Sequence, residues 1–141
     1  MDQNFKNHGR LVPLYHFVAG LLIIAGFVGS IVNLLDAEDE HYYSASLLVV
    51  VFFVLIIIFW YARAFALRAQ DRAIRAEENF RHFLLSGKPL PNELKMRQII
   101  GLRFASDNEF LDLVKRAIAE NLSEKAIKQS IKNWKGDFNR A

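Results

Sequence analysis

Apolar and polar positions alternate along the chain in long blocks. Residues 11–35 contain no Asp, Glu, Lys or Arg, and neither do residues 42–62. At 1.5 Å per residue, each run is long enough as a helix to cross a hydrocarbon layer of about 30 Å. The short acidic loop 36–41 separates them. From residue 63 onward the chain is polar, with apolar positions recurring every three to four residues. This pattern predicts an all-α protein: a two-span transmembrane helical hairpin whose second helix continues as a cytoplasmic stalk, plus a small C-terminal helical bundle. The expected segments are 1–10, an N-terminal segment; 11–35 and 42–62, the two spans; 63–86, the stalk; and 87–141, the bundle.

The first span has one distinctive face. His16, Ala19, Ile23, Gly26, Ser30 and Asn33 follow one another at steps of three and four, which suits close helix packing. Ala25 with Gly29, and Gly26 with Ser30, form small-xxx-small pairs beside it. The expected use is a seam against the second span. The second span is bulky from Leu47 to Tyr61 and is expected to face lipid with no small notch. Tyr42 and Tyr43 at one end, and Trp60 and Tyr61 at the other, suit the two headgroup levels.

No Gly or Pro occurs between Ser30 and Ser86, so one helix is expected from about 42 to 85, ended at Gly87-Lys88-Pro89. Beyond the membrane its stripe Ala66, Ala69, Ala73, Ala76, Phe80 and Phe83 offers an interaction face, expected to pack first on the C-terminal helices and next on another subunit. Arg68, Arg72 and Arg75 lie on another face. Asp71 with Arg75, and Glu77 with Arg81, are spaced for ion pairs. Three short helices should follow. Asn92 is a candidate cap for the first, the capping box Ser106 to Glu109 opens the second, and Ser123 caps the third, which is expected to run past Trp134 to Gly136. On that third helix Lys125, Lys128, Lys132 and Lys135 form a basic stripe. With Arg63 and Arg68 they are candidate lipid-headgroup contacts.

Composition narrows the chemistry. The 141 residues are 52% apolar and 23% charged, with net charge +3 and no cysteine, which removes disulfides and thiolate chemistry. The acidic loop holds Asp36, Glu38, Asp39 and Glu40 and no Lys or Arg. Residues 63–141 carry sixteen basic and ten acidic side chains. Lys6 and Arg10 against Asp2 make the N-terminal segment basic. Both termini are therefore expected in the cytoplasm, by the preference of Lys and Arg for that side. A cleaved signal peptide fits poorly, because the first apolar run exceeds the 7–15 residues of a signal core. His8, His16, His41 and His82 show no metal-ligand spacing, and the acidic loop lacks the glycine turn of a calcium loop. No phosphate-binding glycine loop or nucleophile with a base is visible, so neither catalysis nor a cofactor is expected. Nucleic acid is not expected either, since no base-reading helix or aromatic platform accompanies the lysines.

Several stretches carry a resemblance: Gln3–His8 (QNFKNH), Ile31–Leu34 (IVNL), Tyr43–Leu47 (YSASL), Phe65–Phe83 (FALRAQDRAIRAEENFRHF), Ile99–Asp107 (IIGLRFASD) and Ile127–Trp134 (IKQSIKNW). Together they resemble a family of small uncharacterised bacterial two-pass membrane proteins, a domain of unknown function. The resemblance spans nearly the whole chain. It implies a bacterial inner-membrane location and brings no activity or site residues. The expected role is a non-enzymatic scaffold or accessory subunit, bound to membrane lipids and to another membrane protein or itself. The alternative is a homo-oligomeric channel or transport component, in which the His16, Ser30 and Asn33 face would line the path.

Overall fold

The structure is a computed structural model; it describes residues 4, 5, 7 and 11–137. Among these residues it is all-helical. A π-helical turn, Leu14–Ala19, leads directly into α1, Gly20–Leu35. Then come α2, Tyr42–Ser86; α3, Met96–Leu102; α4, Asp107–Ala119; and α5, Glu124–Ser130. The helical segments Leu14–Leu35 and Tyr42–Ser86 are both long and apolar enough to cross a membrane. The chain divides into two compact units, residues 10–66 and residues 67–141 with the N-terminal residues 1–9.

The first unit is a helical hairpin. Pro13 precedes the π-helical turn, where its missing N–H removes no bond the helix needs. Ala19, Ile23, Gly26 and Ser30 turn inward as the spacing predicts, and Ser30 is buried. Asn33 departs from the expected face and is exposed; the next half-buried position is Leu34, one full turn after Ser30. The pair Ala25 and Gly29 is also exposed, and Gly29 has open space around it.

The second span turns one stripe inward. Ala45, Val49, Phe52, Ile56 and Phe59 form its less exposed stripe, at alternating steps of four and three, and Ala45 is 2% exposed. The close approach is made by bulk on α2 entering a gap on α1: a Cβ on Gly26 would collide with the Phe52 ring. Tyr15 stacks on Phe59 with ring centroids 4.4 Å apart and donates its hydroxyl hydrogen to the Phe59 carbonyl.

The second unit is built around a core of Phe104, Phe110, Ile99, Leu102, Val114 and Ile127, each under 2% exposed or nearly so. The last stretch of α2 joins it through Ile74, Glu78, Arg81 and His82, a face spaced at four, three and one. This corrects the expectation that the Ala/Phe stripe docks on the bundle. Ala66, Ala69, Ala73 and Ala76 are exposed, and Phe80 and Phe83 are 62% and 52% exposed. Helix α2 ends as expected at Gly87, whose positive φ of 71° suits glycine and whose N–H donates to the Phe83 carbonyl at 2.8 Å.

The cap of α3 and the length of α5 also differ from expectation. The N-cap of α3 is Lys95, not Asn92. Lysine offers no acceptor, so only the reciprocal half of a capping box forms, with Gln98 Oε1 accepting from the Lys95 N–H at 2.9 Å. Ser123 does cap α5, accepting from the Ala126 N–H at 3.2 Å. That helix stops at Ser130 rather than at Gly136. Ile131 is extended, and Trp134 pairs with Ala105 across an isolated antiparallel bridge. The backbone bonds Ser106 N–H to Asn133 and Lys135 N–H to Phe104, at 3.0 and 2.8 Å, replace the helical bonds.

Candidate functional site

The stretch of α2 from Ala66 to Phe83 has two faces with different tasks. One is tied to the bundle by polar groups that a hydrophobicity pattern does not reveal. Arg81 is buried and reaches four acceptor contacts: Glu78 Oε2 at 3.1 Å, Asp107 Oδ1 from two of its nitrogens at 2.7 and 2.6 Å, and the Ala105 carbonyl at 2.7 Å. Its guanidinium also lies 4.3 Å from the centroid of the Phe110 ring. The expected partner was Glu77, four residues away, which is instead exposed. Burial raises the Glu78 carboxyl above the usual glutamate range, and Arg81 pulls it back only in part. His82 meets the Lys88 carbonyl through Nδ1 at 2.7 Å. The sequence pattern does not mark Glu78, Arg81 and His82 as a packing face. Their signal was the spacing Ile74, Glu78, Arg81, which continues an apolar face with charged residues.

The other face is the exposed Ala/Phe stripe. Its small residues leave the backbone approachable, and its two phenylalanines offer apolar area at one end. The remaining sequence-predicted residues fall in separate places. Ala19, Gly26 and Ser30 serve the hairpin. The His16 ring turns back to its own helix, with Nδ1 2.9 Å from the Val12 carbonyl and 3.1 Å from the Val12 nitrogen. Asn33 takes no part in the seam.

The basic stripe of α5 does not form as expected, because Lys132 and Lys135 lie beyond the helix end. Lys128 is buried, 2.6 Å from Glu124 and 5.3 Å from the Phe104 ring centroid. Lys125 is exposed, Arg63 is half-exposed in the first unit and Arg68 is exposed in the second. Asp2, Lys6, His8 and Arg10 lie outside the described residues.

Glu109 explains why the chain leaves the helix after Ser130. Ser106 Oγ approaches its carboxylate at 3.4 Å and makes no cap bond to the helix backbone. Instead Glu109 accepts the N–H groups of Lys132 and Asn133 at 3.1 and 2.9 Å. Burial pushes its carboxyl upward, but the backbone N–H bonds outweigh that effect and hold it below the usual range.

These features define an all-helical protein with two helices fit to cross a membrane and a separate, well-packed helical bundle. The chain belongs to a family of unknown function, DUF6526, whose model matches residues 1–141. No curated protein and no solved structure matches it.

Proposed function

We propose that the chain is a non-enzymatic scaffold or accessory subunit of a complex in the bacterial inner membrane. The observation that carries this reading is the division of labour on α2. Ile74, Glu78, Arg81 and His82 hold the bundle, while Ala66, Ala69, Ala73, Ala76, Phe80 and Phe83 stay exposed. An apolar stripe of this kind suits a partner helix. The partner is another membrane protein or a second copy of the chain.

In this reading both termini are cytoplasmic and loop 36–41 lies outside. Its support is the surplus of Lys and Arg after residue 62 and their absence from the loop. Phe5 also lines a groove of about 590 Å³ with Ser123, Lys125 and Lys128, which puts it beside the bundle. Exposed Arg68 and Lys125 remain candidates for lipid headgroups.

The channel alternative has weaker support. Ser30 is buried in the hairpin and donates to its own Phe27 carbonyl at 2.7 Å, and His16 is engaged with Val12.

Native mass spectrometry of the gently extracted protein tests the reading. A heavier complex with another chain is expected, and Ala73→Leu is expected to dissociate it while changing the stability of the chain by no more than about 0.5 kcal/mol. A complex that survives Ala73→Leu intact removes the stripe as the docking face. A homo-oligomer alone makes the partner a second copy of the chain, and ion conduction by that oligomer after reconstitution moves the weight to the channel alternative.

A further inference from the structure

A second feature of the same unit goes beyond scaffolding. An open groove of about 690 Å³ lies between α2 and the loop after it. Arg72, Arg75 and Lys88 all line it, with Asn79, and its lining contains no Asp or Glu. Its volume falls within the range of small-molecule sites. Ala76, Pro89, Leu90, Pro91 and Ile99 supply apolar walls. The expected ion pair between Asp71 and Arg75 does not form. Among the described residues, no carboxylate lies within ion-pair distance of Arg72, Arg75 or Lys88.

The positions of these groups are fixed by the fold. Arg72 and Arg75 are three residues apart on one helix, so they are neighbours on its surface. The backbone of Lys88 is held in place by its carbonyl, which meets His82 Nδ1 at 2.7 Å and accepts from Ser86 Oγ at 3.2 Å, and by its N–H, which donates to Ser86 Oγ at 3.2 Å. Gly87 makes the turn, and Pro89 and Pro91 stiffen the loop beyond it. The Asn79 Oδ1 accepts from the Leu90 N–H at 2.9 Å. That bond fixes the amide so that its NH₂ group is the one left to donate.

Three cations, the amides of Asn79 and Asn92 and no acid in an open groove are complementary to a doubly charged anion with several acceptor oxygens. We propose that this groove binds a phosphate monoester, Arg72 and Arg75 gripping its oxygens as guanidinium forks and Lys88 closing the opposite side as a point charge. The group can be carried by a soluble metabolite or by a lipid headgroup such as that of phosphatidic acid.

The test uses the full-length protein. In phosphatidylcholine nanodiscs, inorganic phosphate is titrated by calorimetry at low salt, with chloride as control. Saturable binding is expected, weaker by roughly tenfold or more in Arg72→Gln/Arg75→Gln and also reduced in the loop variant Lys88→Gln. Lys115→Gln, on α4 beside Asp112, should bind as the parent does. In a second arm, protein in mixed micelles of phosphatidylcholine and phosphatidic acid is analysed for retained lipid by mass spectrometry. Selective retention of phosphatidic acid, lost in the double variant, supports the site and assigns it to a headgroup. Phosphate binding without such retention supports it and assigns a soluble ligand. If neither probe distinguishes the parent from variants that keep the parent's circular dichroism, or if chloride binds as phosphate does, the proposal is overturned.

Discussion

The hairpin and the bundle treat their apolar side chains in opposite ways. In the hairpin, Leu21 and Trp60 are 70% and 72% exposed, and so is most of the bulk around them. In the bundle, Phe104 and Phe110 are completely covered. The hairpin's surface suits hydrocarbon, where apolar exposure costs nothing and packing depends on close fit. The bundle is assembled as a water-soluble core, stabilised by removing apolar area from water and by satisfying the polar groups caught inside. The two units therefore need different residues at their critical contacts. The hairpin needs a glycine that admits a phenylalanine ring. The bundle needs an arginine with acceptors on every side.

Substitutions at those contacts should separate the two. Arg81→Leu is expected to have the largest effect. It leaves Glu78 buried without its cation and the Ala105 carbonyl without its donor, and should destabilise the bundle by about 3–5 kcal/mol. Amide hydrogen exchange should then rise in α4 and stay unchanged in α1. Equal loss of protection in both would show that the units fold as one.

Gly26→Leu should do the reverse. A Cβ at that position collides with the Phe52 ring, and overpacking of this kind costs about 1–3 kcal/mol. The loss should appear as faster exchange in α1, with α4 unaffected. Phe52→Ala in the same chain should recover part of it by making room.

Glu109→Gln is the smallest, at about 1 kcal/mol, because the two N–H groups donate to different carboxylate oxygens, and glutamine keeps one acceptor oxygen while its NH₂ faces the other, solvent-accessible N–H. It also carries a pH signature. The folded pKa of Glu109 lies below its ordinary value of 4.5, so the unfolded chain binds the proton first. Its contribution is present above about pH 4.5 and is lost as pH falls through the lower folded pKa. The gap between parent and Glu109→Gln, measured by thermal unfolding, should therefore close in acid. A gap constant down to pH 3 would contradict the assignment.

The fold was largely legible because its signals are local. An uninterrupted run without Gly or Pro from Tyr42 to Ser86 forms one helix, and Gly87 ends it through its own φ. Ser123 caps its helix with its own hydroxyl. The errors concern contacts between distant residues. The spacing of Lys125, Lys128, Lys132 and Lys135 describes one helix face only if the helix continues, and Glu109 with the 104–106 backbone ends it first. The periodicity of α2 offered two faces for docking. It favoured the Ala/Phe stripe, whereas the bundle took the face with Glu78 and Arg81, because Asp107, Ala105 and Phe110 could satisfy a buried guanidinium.

By itself, then, the sequence determined where α2 begins and ends, where α5 begins, and which helices are apolar enough to cross a membrane. Those properties follow from residues within a turn or two of one another and from the transfer free energy of each side chain. Only the tertiary structure decided which face of α2 is covered, which glycine on α1 admits a ring, and that Arg72, Arg75 and Lys88 share a groove free of carboxylates. Each of these depends on groups brought together from separate parts of the chain. Burial and hydrogen-bond satisfaction at such meetings are properties of the assembled neighbours, and no single segment carries them.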